Sequence, residues 1–302
     1  MGSCYRRTVV RWMAGAAAMA VGLLAGALAA TACVGYLDAD AGVEATDASA
    51  SEVGPASDGD AGTGGDAALV DADAGCGYPC IVLADEPLVY LSFDDDVGPQ
   101  ARDLSGNERH GQYPVGGVTK GIDGHMPGSK AVRFSGKGAQ AIKMPAGFAD
   151  FTGTDAKFSI ELWMKADDLS GLPFVLDHQT FSPRGGWLVR AQQGRIGLEV
   201  WVDEQGATLE SEDPLTVGQW HHVVLAYDTT DRLAHVWVDT KLLTREIGAG
   251  GSLPVIQSWS IGKQNCSPCE TSSYVGVLDE VALYDRVLDE ATVIRHYRAA
   301  RP

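Results

Sequence analysis

From Leu88 to Tyr284, apolar and polar side chains alternate in short runs broken by Gly, Pro, Asp and Asn. A strand turns every second side chain to the same face, so a run of this period predicts a half-buried β-strand. The runs cover Leu88 to Phe93, Ala131 to Phe134, Ala141 to Met144, Phe158 to Lys165, Gly186 to Ala191, Ile196 to Val202, Trp220 to Tyr227, Ala234 to Val238, Lys241 to Arg245, Trp259 to Gly262 and Tyr274 to Tyr284. Only Asp289 to Tyr297 takes the helical period, with Asp289 placed to cap it and Val293, Ile294 and Tyr297 on one face. Many short strands between turn signals, followed by one short C-terminal helix, predict an all-β antiparallel sandwich of two sheets.

The alternation does not reach the N-terminus. Arg6, Arg7 and Arg11 precede an apolar run from Met13 to Ala30 and then Thr31-Ala32-Cys33, the plan of an export signal over residues 1–32. The run is mostly Ala and Gly and meets acids instead of a basic stop signal, which favours cleavage over a spanning helix. Ala30-Thr31-Ala32-Cys33 resembles a bacterial lipobox, with Ala30 where Leu is usual. That resemblance implies a lipidated Cys33, palmitate-type chains and a lipoprotein of the cell envelope, at an outer membrane or cell surface. Each buried methylene adds about 0.8 kcal/mol to such an anchor. Simple cleavage after Ala32, giving a secreted protein, is the alternative.

Residues 33–75 are rich in Ala, Asp, Gly and Ser, with ten acids and neither Lys nor Arg. Such a stretch buries too little apolar surface to offset chain entropy, so it is expected to be a disordered acidic tether. The chain carries a formal net charge of -17. Setting aside those ten acids and the three signal arginines leaves 30 acids against 20 bases in the rest, about -10. No basic patch for nucleic acid or anionic lipid is evident, so membrane contact is expected through the lipid anchor alone.

The domain expected over residues 76–302 holds Cys76, Cys80, Cys266 and Cys269. Two close pairs can supply four zinc ligands, but an exported protein favours disulfides, with the connectivity open.

Six segments together carry a family resemblance: Leu88 to Asp94 (LVYLSFD), Asp103 to Gly111 (DLSGNERHG), Phe158 to Lys165 (FSIELWMK), Trp220 to Val224 (WHHVV), Val236 to Asp239 (VWVD) and Gly276 to Leu288 (GVLDEVALYDRVL). Their order is similar to that of laminin-G-like, concanavalin A-like jelly-roll domains over roughly Leu88 to Tyr297. The resemblance implies a curved jelly-roll used for binding sugars or proteins, often with a structural calcium. One departure is Asp239-Thr240, where the family commonly has Asp-Gly; Thr at a positive φ is costly, which points to another turn type.

Calcium takes about six to eight oxygen ligands, which Asp, Asn and backbone carbonyls of short loops supply. The resemblance places such a site near Asp94, the DLSGNERHG stretch and the last strand, with Asp94, Asp103, Asn107 and Asp279 as candidate ligands. The competing reading is a plain turn at Ser105-Gly106-Asn107 capped by Asp103.

Period 2 yields a second candidate. Glu161 and Trp163 share one strand face, Glu199 and Trp201 another, and His235 and Trp237 a third. On one concave sheet these would line a carbohydrate groove, because indole faces stack on sugars and carboxylates accept hydroxyl hydrogen bonds. The alternative is that Trp163 and Trp237 fill the sandwich.

Catalytic signatures are weak. His110 has no nucleophile motif near it, and His221 and His222, being adjacent on a strand, point to opposite faces. Glycosidases need a spaced carboxyl pair, and in family-16-like glucanases it appears as Glu-x-Asp-x-x-Glu. The nearest stretch here, Glu199-Val-Trp-Val-Asp-Glu204, does not set its three acids on one face. The expectation is a non-catalytic module recognising a glycan or a cell-surface or extracellular protein, with a glycosidase-like enzyme or a structural envelope part as alternatives.

Overall fold

In the computed structural model, which describes residues 77–94, 98–136, 141–145, 152–248, 251–256, 259–264 and 273–301, the alternating runs close into two eight-stranded antiparallel sheets. The signal and Cys33, the tether, and Cys76, Cys266 and Cys269 lie outside the described residues. Cys80 is half-buried and its sulfur is not free. None of the described helices is long and apolar enough to cross a membrane.

The first sheet runs in the order β14 (Lys241–Glu246), β13 (Leu233–Val238), β12 (His221–Asp228), β7 (Lys157–Asp168), β16 (Val275–Tyr284), β5 (Lys130–Ser135) and β4 (Val118–Asp123), with β1 (Val89–Leu91) also paired to β16. The second runs β11 (Gln205–Glu210), β10 (Arg195–Val202), β9 (Arg184–Gln192), β8 (Phe174–Phe181), β15 (Trp259–Ile261), β6 (Ile142–Met144), β3 (Gly111–Gln112) and β2 (Gln100–Ala101). The helices are α1 (Tyr78–Leu83) and α2 (Glu290–Ala299).

Period 2 sorts the side chains as expected. Phe158, Ile160, Leu162 and Met164 of β7, with Val223, Leu225 and Tyr227 of β12, point into the core between the sheets. Trp187, Val189, Ile196, Leu198 and Val200 meet them from the second sheet. Burying each large apolar side chain contributes about 1.5–3 kcal/mol. The helix starts where expected, since the Asp289 carboxylate accepts the Thr292 N–H at 2.8 Å.

Several elements escape the pattern. β8 reads FVLDHQTF and places Asp177, His178 and Gln179 within the sheet, which hides its alternation. β4 and β11 carry few apolar residues, and the six residues of α1 are too few to show a helical period. The β13–β14 hairpin also departs from expectation. Asp239 and Thr240 both have positive φ (52° and 85°), so the primed turn is kept without glycine. Pairing of Val238 with Lys241 leaves a two-residue loop, and strand twist demands a primed turn there.

Candidate functional site

The outer face of the first sheet is closed. Trp163, Trp237, Tyr90 and Tyr284 pack there against Tyr78 and Val82 of α1 and Val293 of α2. At the centre lies a charged cluster around Glu161, which is 0 % exposed. Its carboxylate stands 2.7 Å from His222 Nε2 and 2.9 Å from His296 Nδ1, and accepts the Tyr284 hydroxyl at 2.8 Å. His296 Nε2 stands 2.7 Å from Asp85 Oδ2. Burial disfavours a charged His296, but the Glu161 charge and hydrogen bonds to Glu161 and Asp85 outweigh it and raise the pKa. Burial likewise works against the Glu161 carboxylate, yet the His296 charge and the His222 hydrogen bond hold its pKa well below the usual range. These groups staple both helices to the sheet.

Three candidate groove residues are therefore reassigned. Glu161 is sealed, and Trp163 and Trp237 are each 2 % exposed, so none of the three reaches a ligand. Strand period reveals which residues share a face but not which element covers that face.

The four candidate calcium ligands are brought together only in part. Asp94 and Asp279 meet at the turn joining β4 to β5: Asp94 Oδ1 accepts the Lys130 N–H at 2.7 Å and Asp279 Oδ2 the His125 N–H at 2.8 Å. Asp279 Oδ1 and Glu280 Oε1 are buried without a hydrogen-bond partner among the described residues. Burial, with the charge of Asp94, pushes the Asp279 carboxyl up to about 7. Asp103 is spent elsewhere, accepting the N–H groups of Tyr90, Ser105 and Arg109 at 2.9, 3.0 and 2.9 Å and the Ser105 hydroxyl at 2.9 Å. Asn107 donates to Leu88 O at 3.1 Å, and His110 Nδ1 accepts the Asp103 N–H at 3.0 Å. DLSGNERHG is a capped turn whose carboxylate lone pairs are filled by its own loop and by the Tyr90 N–H of β1. Among the described residues, no group of three or more His, Cys, Asp or Glu is arranged to hold a metal ion.

The outer face of the second sheet differs. Its strand registers align one residue from each strand: Thr208, Glu199, Leu188, Asp177, Ser260, Lys143, Gln112 and Gln100. All but Leu188 are polar. The centre of this rung is buried, whereas its Glu199 and Thr208 end is half-buried and its Lys143, Gln112 and Gln100 end is exposed. The next rung holds Gln179, Gly186, Trp201 and Gly206. A Cβ at Gly206 would stand 2.6 Å from the indole, so glycine lets the half-buried Trp201 lie across the strand. Gln179 is 4 % exposed, and neither of its amide atoms has a partner.

Glu199 organises this end. It accepts from Trp201 Nε1 at 2.5 Å and Arg190 Nε at 2.7 Å, and Arg184 Nη2 stands 3.4 Å away. The Arg184 guanidinium lies 3.4 Å above the Trp201 ring centroid. Asp203 and Glu204 are the two positive-φ residues of the β10–β11 turn, so they do not join Glu199 on the sheet face.

Beside this face, at the open edge of the sandwich, are two clefts. A cavity of about 230 Å³ is lined by residues including Ser211, His221 and Asp239. His221 Nδ1 faces Asp239 Oδ2 at 2.6 Å, but its Nε2 accepts the Thr216 N–H at 3.0 Å, and Ser211 donates to Asp213 O at 2.7 Å. No serine-to-histidine proton path exists there. The second cleft, about 600 Å³, is lined by residues including Arg190, Gln192, Arg195, Thr208 and Arg245.

Sequence reasoning missed Asp85 and His296 at the first sheet and Gln179, Arg184 and Arg190 at the second. His296 lies three residues after Val293, a member of the expected helix face, so the helical period carried a signal for it. The others depend on strand pairing.

Comparison with known proteins agrees with this architecture. A laminin-G family model, described as the concanavalin A-like lectin/glucanases superfamily, matches residues 136–294. A search of curated proteins gave no match. Among solved structures, the binding domain of Paraclostridial Mosquitocidal Protein 1 is similar at TM-score 0.59 and 15% identity, covering 71% of this chain and 52% of that one. The botulinum neurotoxin serotype G binding domain follows at 0.56 and 14%, covering 70% and 50%. The Trypanosoma rangeli sialidase matches at 0.53 and 17%, covering 70% and 32%. The chain thus spans about half, or less, of the structures it resembles, and at these identities the likeness is one of fold. The family match extends over more than half of the sequence: the chain belongs to the concanavalin A-like lectin/glucanase superfamily.

Proposed function

We propose that this protein is a non-catalytic recognition module that binds a carbohydrate on the outer face of its second sheet. The observation that carries the reading is the constellation of Trp201, Glu199 and Arg190 at the accessible end of a polar rung. The Arg184 guanidinium lies over the Trp201 indole, and on its displacement the indole offers a surface for the apolar face of a sugar ring, while the flanking carboxylate and guanidinium groups match its hydroxyls. Support also comes from the similar structures described as binding domains.

Calcium is a second element of the reading, at Asp94 and Asp279, where the buried oxygens of Asp279 and Glu280 lack partners. Asp103 and Asn107 are not among its ligands. Lipidation at Cys33, anchoring at the cell envelope through residues 33–75, and disulfides among Cys76, Cys80, Cys266 and Cys269 complete the proposal.

A glycan array run with and without calcium tests this. Binding that disappears in Trp201→Ala while the variant keeps its melting temperature is the expected result. A folded Trp201→Ala variant that binds glycan as the parent does would falsify the site, and an array blank in both conditions rejects the carbohydrate reading.

A further inference from the structure

We infer that the cleft between β11 and β14 is built for an acidic saccharide, one whose ring carries a carboxylate. This inference rests on the carbohydrate reading and names the ligand class. Three arginines converge on the cleft from β9, β10 and the opposite sheet: Arg190, Arg195 and Arg245. In a chain of net charge -17 the lining of this cleft stands out, its three arginines outnumbering Glu210 and Glu212.

The three guanidinium groups are not equivalent. Arg190 is matched by Glu199 at 2.7 Å. Arg195 donates to the backbone carbonyls of Ser211, at 3.1 Å, and Glu212, and its charge acts on the nearby Asp213 carboxylate, which is itself paired with Lys241 at 2.7 Å. Arg245 projects from the edge strand β14, exposed and, among the described residues, with no acid in ion-pair range. Of the acids that share the lining, Glu212 pairs with Lys241 outside it at 2.9 Å, while Glu210 stands 3.8 Å from Arg190 and adds to the charge that Glu199 sets against that arginine. The guanidinium forks of Arg195 and Arg245, on opposite walls of a cleft of about 600 Å³, suit the planar oxygens of a carboxylate. Gln192 and Thr208 add groups for sugar hydroxyls. Arg190 joins the cleft to the Trp201 site through Glu199, so one oligosaccharide can occupy both.

The test is titration calorimetry of the full chain with an oligogalacturonate hexasaccharide and with its carboxyl-reduced neutral counterpart. The acidic sugar is expected to bind at least tenfold more tightly at low ionic strength, with the gap closing in 1 M salt, where screening is complete within a few ångströms. Arg245→Glu and Arg245→Gln, at an exposed position, should weaken the acidic sugar at least tenfold and threefold respectively and weaken the neutral one by less. Equal affinity for the two sugars, or an Arg245→Glu variant that binds the acidic one as the parent does, overturns the inference. If neither hexasaccharide binds while the array retains a Trp201-dependent ligand, the ligand class is wrong and the carbohydrate reading stands. If the array is blank as well, both fall.

Discussion

Glu161-Leu162-Trp163 on β7 and Glu199-Val200-Trp201 on β10 are nearly the same tripeptide in the same kind of strand. Each turns its Glu and Trp away from the core, and there the likeness ends. Glu161 is fully buried, held by two histidines and a tyrosine beneath two helices. Glu199 keeps part of its side chain in water and is held by two arginines and the neighbouring indole. The first pattern fastens a layer to the sheet, and the second leaves an aromatic and charged surface available to another molecule.

The comparison breaks most readily at the carboxylates. Glu161→Ala leaves His296 facing Asp85 alone and His222 without its acceptor, and removing one partner of a buried charge pair costs about 3–5 kcal/mol. Glu199→Ala loses charge-assisted hydrogen bonds at a partly solvated site, a cost of about 1–2 kcal/mol. Urea denaturation of both variants measures the difference, and equal losses would mean that the two environments do not differ as described.

Acidity sharpens it next. The raised pKa of His296 means that its contribution is complete below its unfolded value, about 6.5, and is lost as pH rises through the folded value. The depressed pKa of Glu161 makes its contribution complete above about 4.3 and lost as pH falls through its folded value. The melting-temperature gap between the parent and His296→Gln should thus be widest between about 4.3 and 6.5 and shrink in alkali. A gap that stays constant with pH removes the charged cluster from the account. His178, buried in the core and depressed to about 3 by burial, adds an acid-side loss common to both proteins, so it cancels in the difference.

The smallest effect concerns Arg184, whose guanidinium lies over Trp201. Arg184→Ala forfeits an exposed cation–π contact of about 0.5–1 kcal/mol. It should move the melting temperature little while changing the Trp201 fluorescence and opening the indole face. Unchanged fluorescence would mean that the contact is not populated in solution.

Much of the fold was legible along the chain. The long strands β7, β10, β12 and β16 and the capped helix α2 follow from side-chain period, because a core demands apolar residues at fixed intervals whatever lies further away. β4, β8 and β11 were not legible, since their residues answer to neighbouring strands or solvent more than to the core. The pairing of Asp94 with Asp279 followed from the order of motifs, whereas the spending of Asp103 on its own turn followed from the geometry of nine residues that spell several loops equally well.

By itself the sequence determined which side chains share a strand face, where the C-terminal helix begins, and that β-strands dominate. Those properties are local, set by backbone geometry over a few residues. The tertiary structure alone decided which Glu-x-Trp face is covered, that His296 and Asp85 meet Glu161, and that arginines at 190, 195 and 245 share one cleft. Contacts between residues far apart in the chain depend on strand order and register, and the burial they create decides whether a carboxylate acts as a staple or as part of a binding surface.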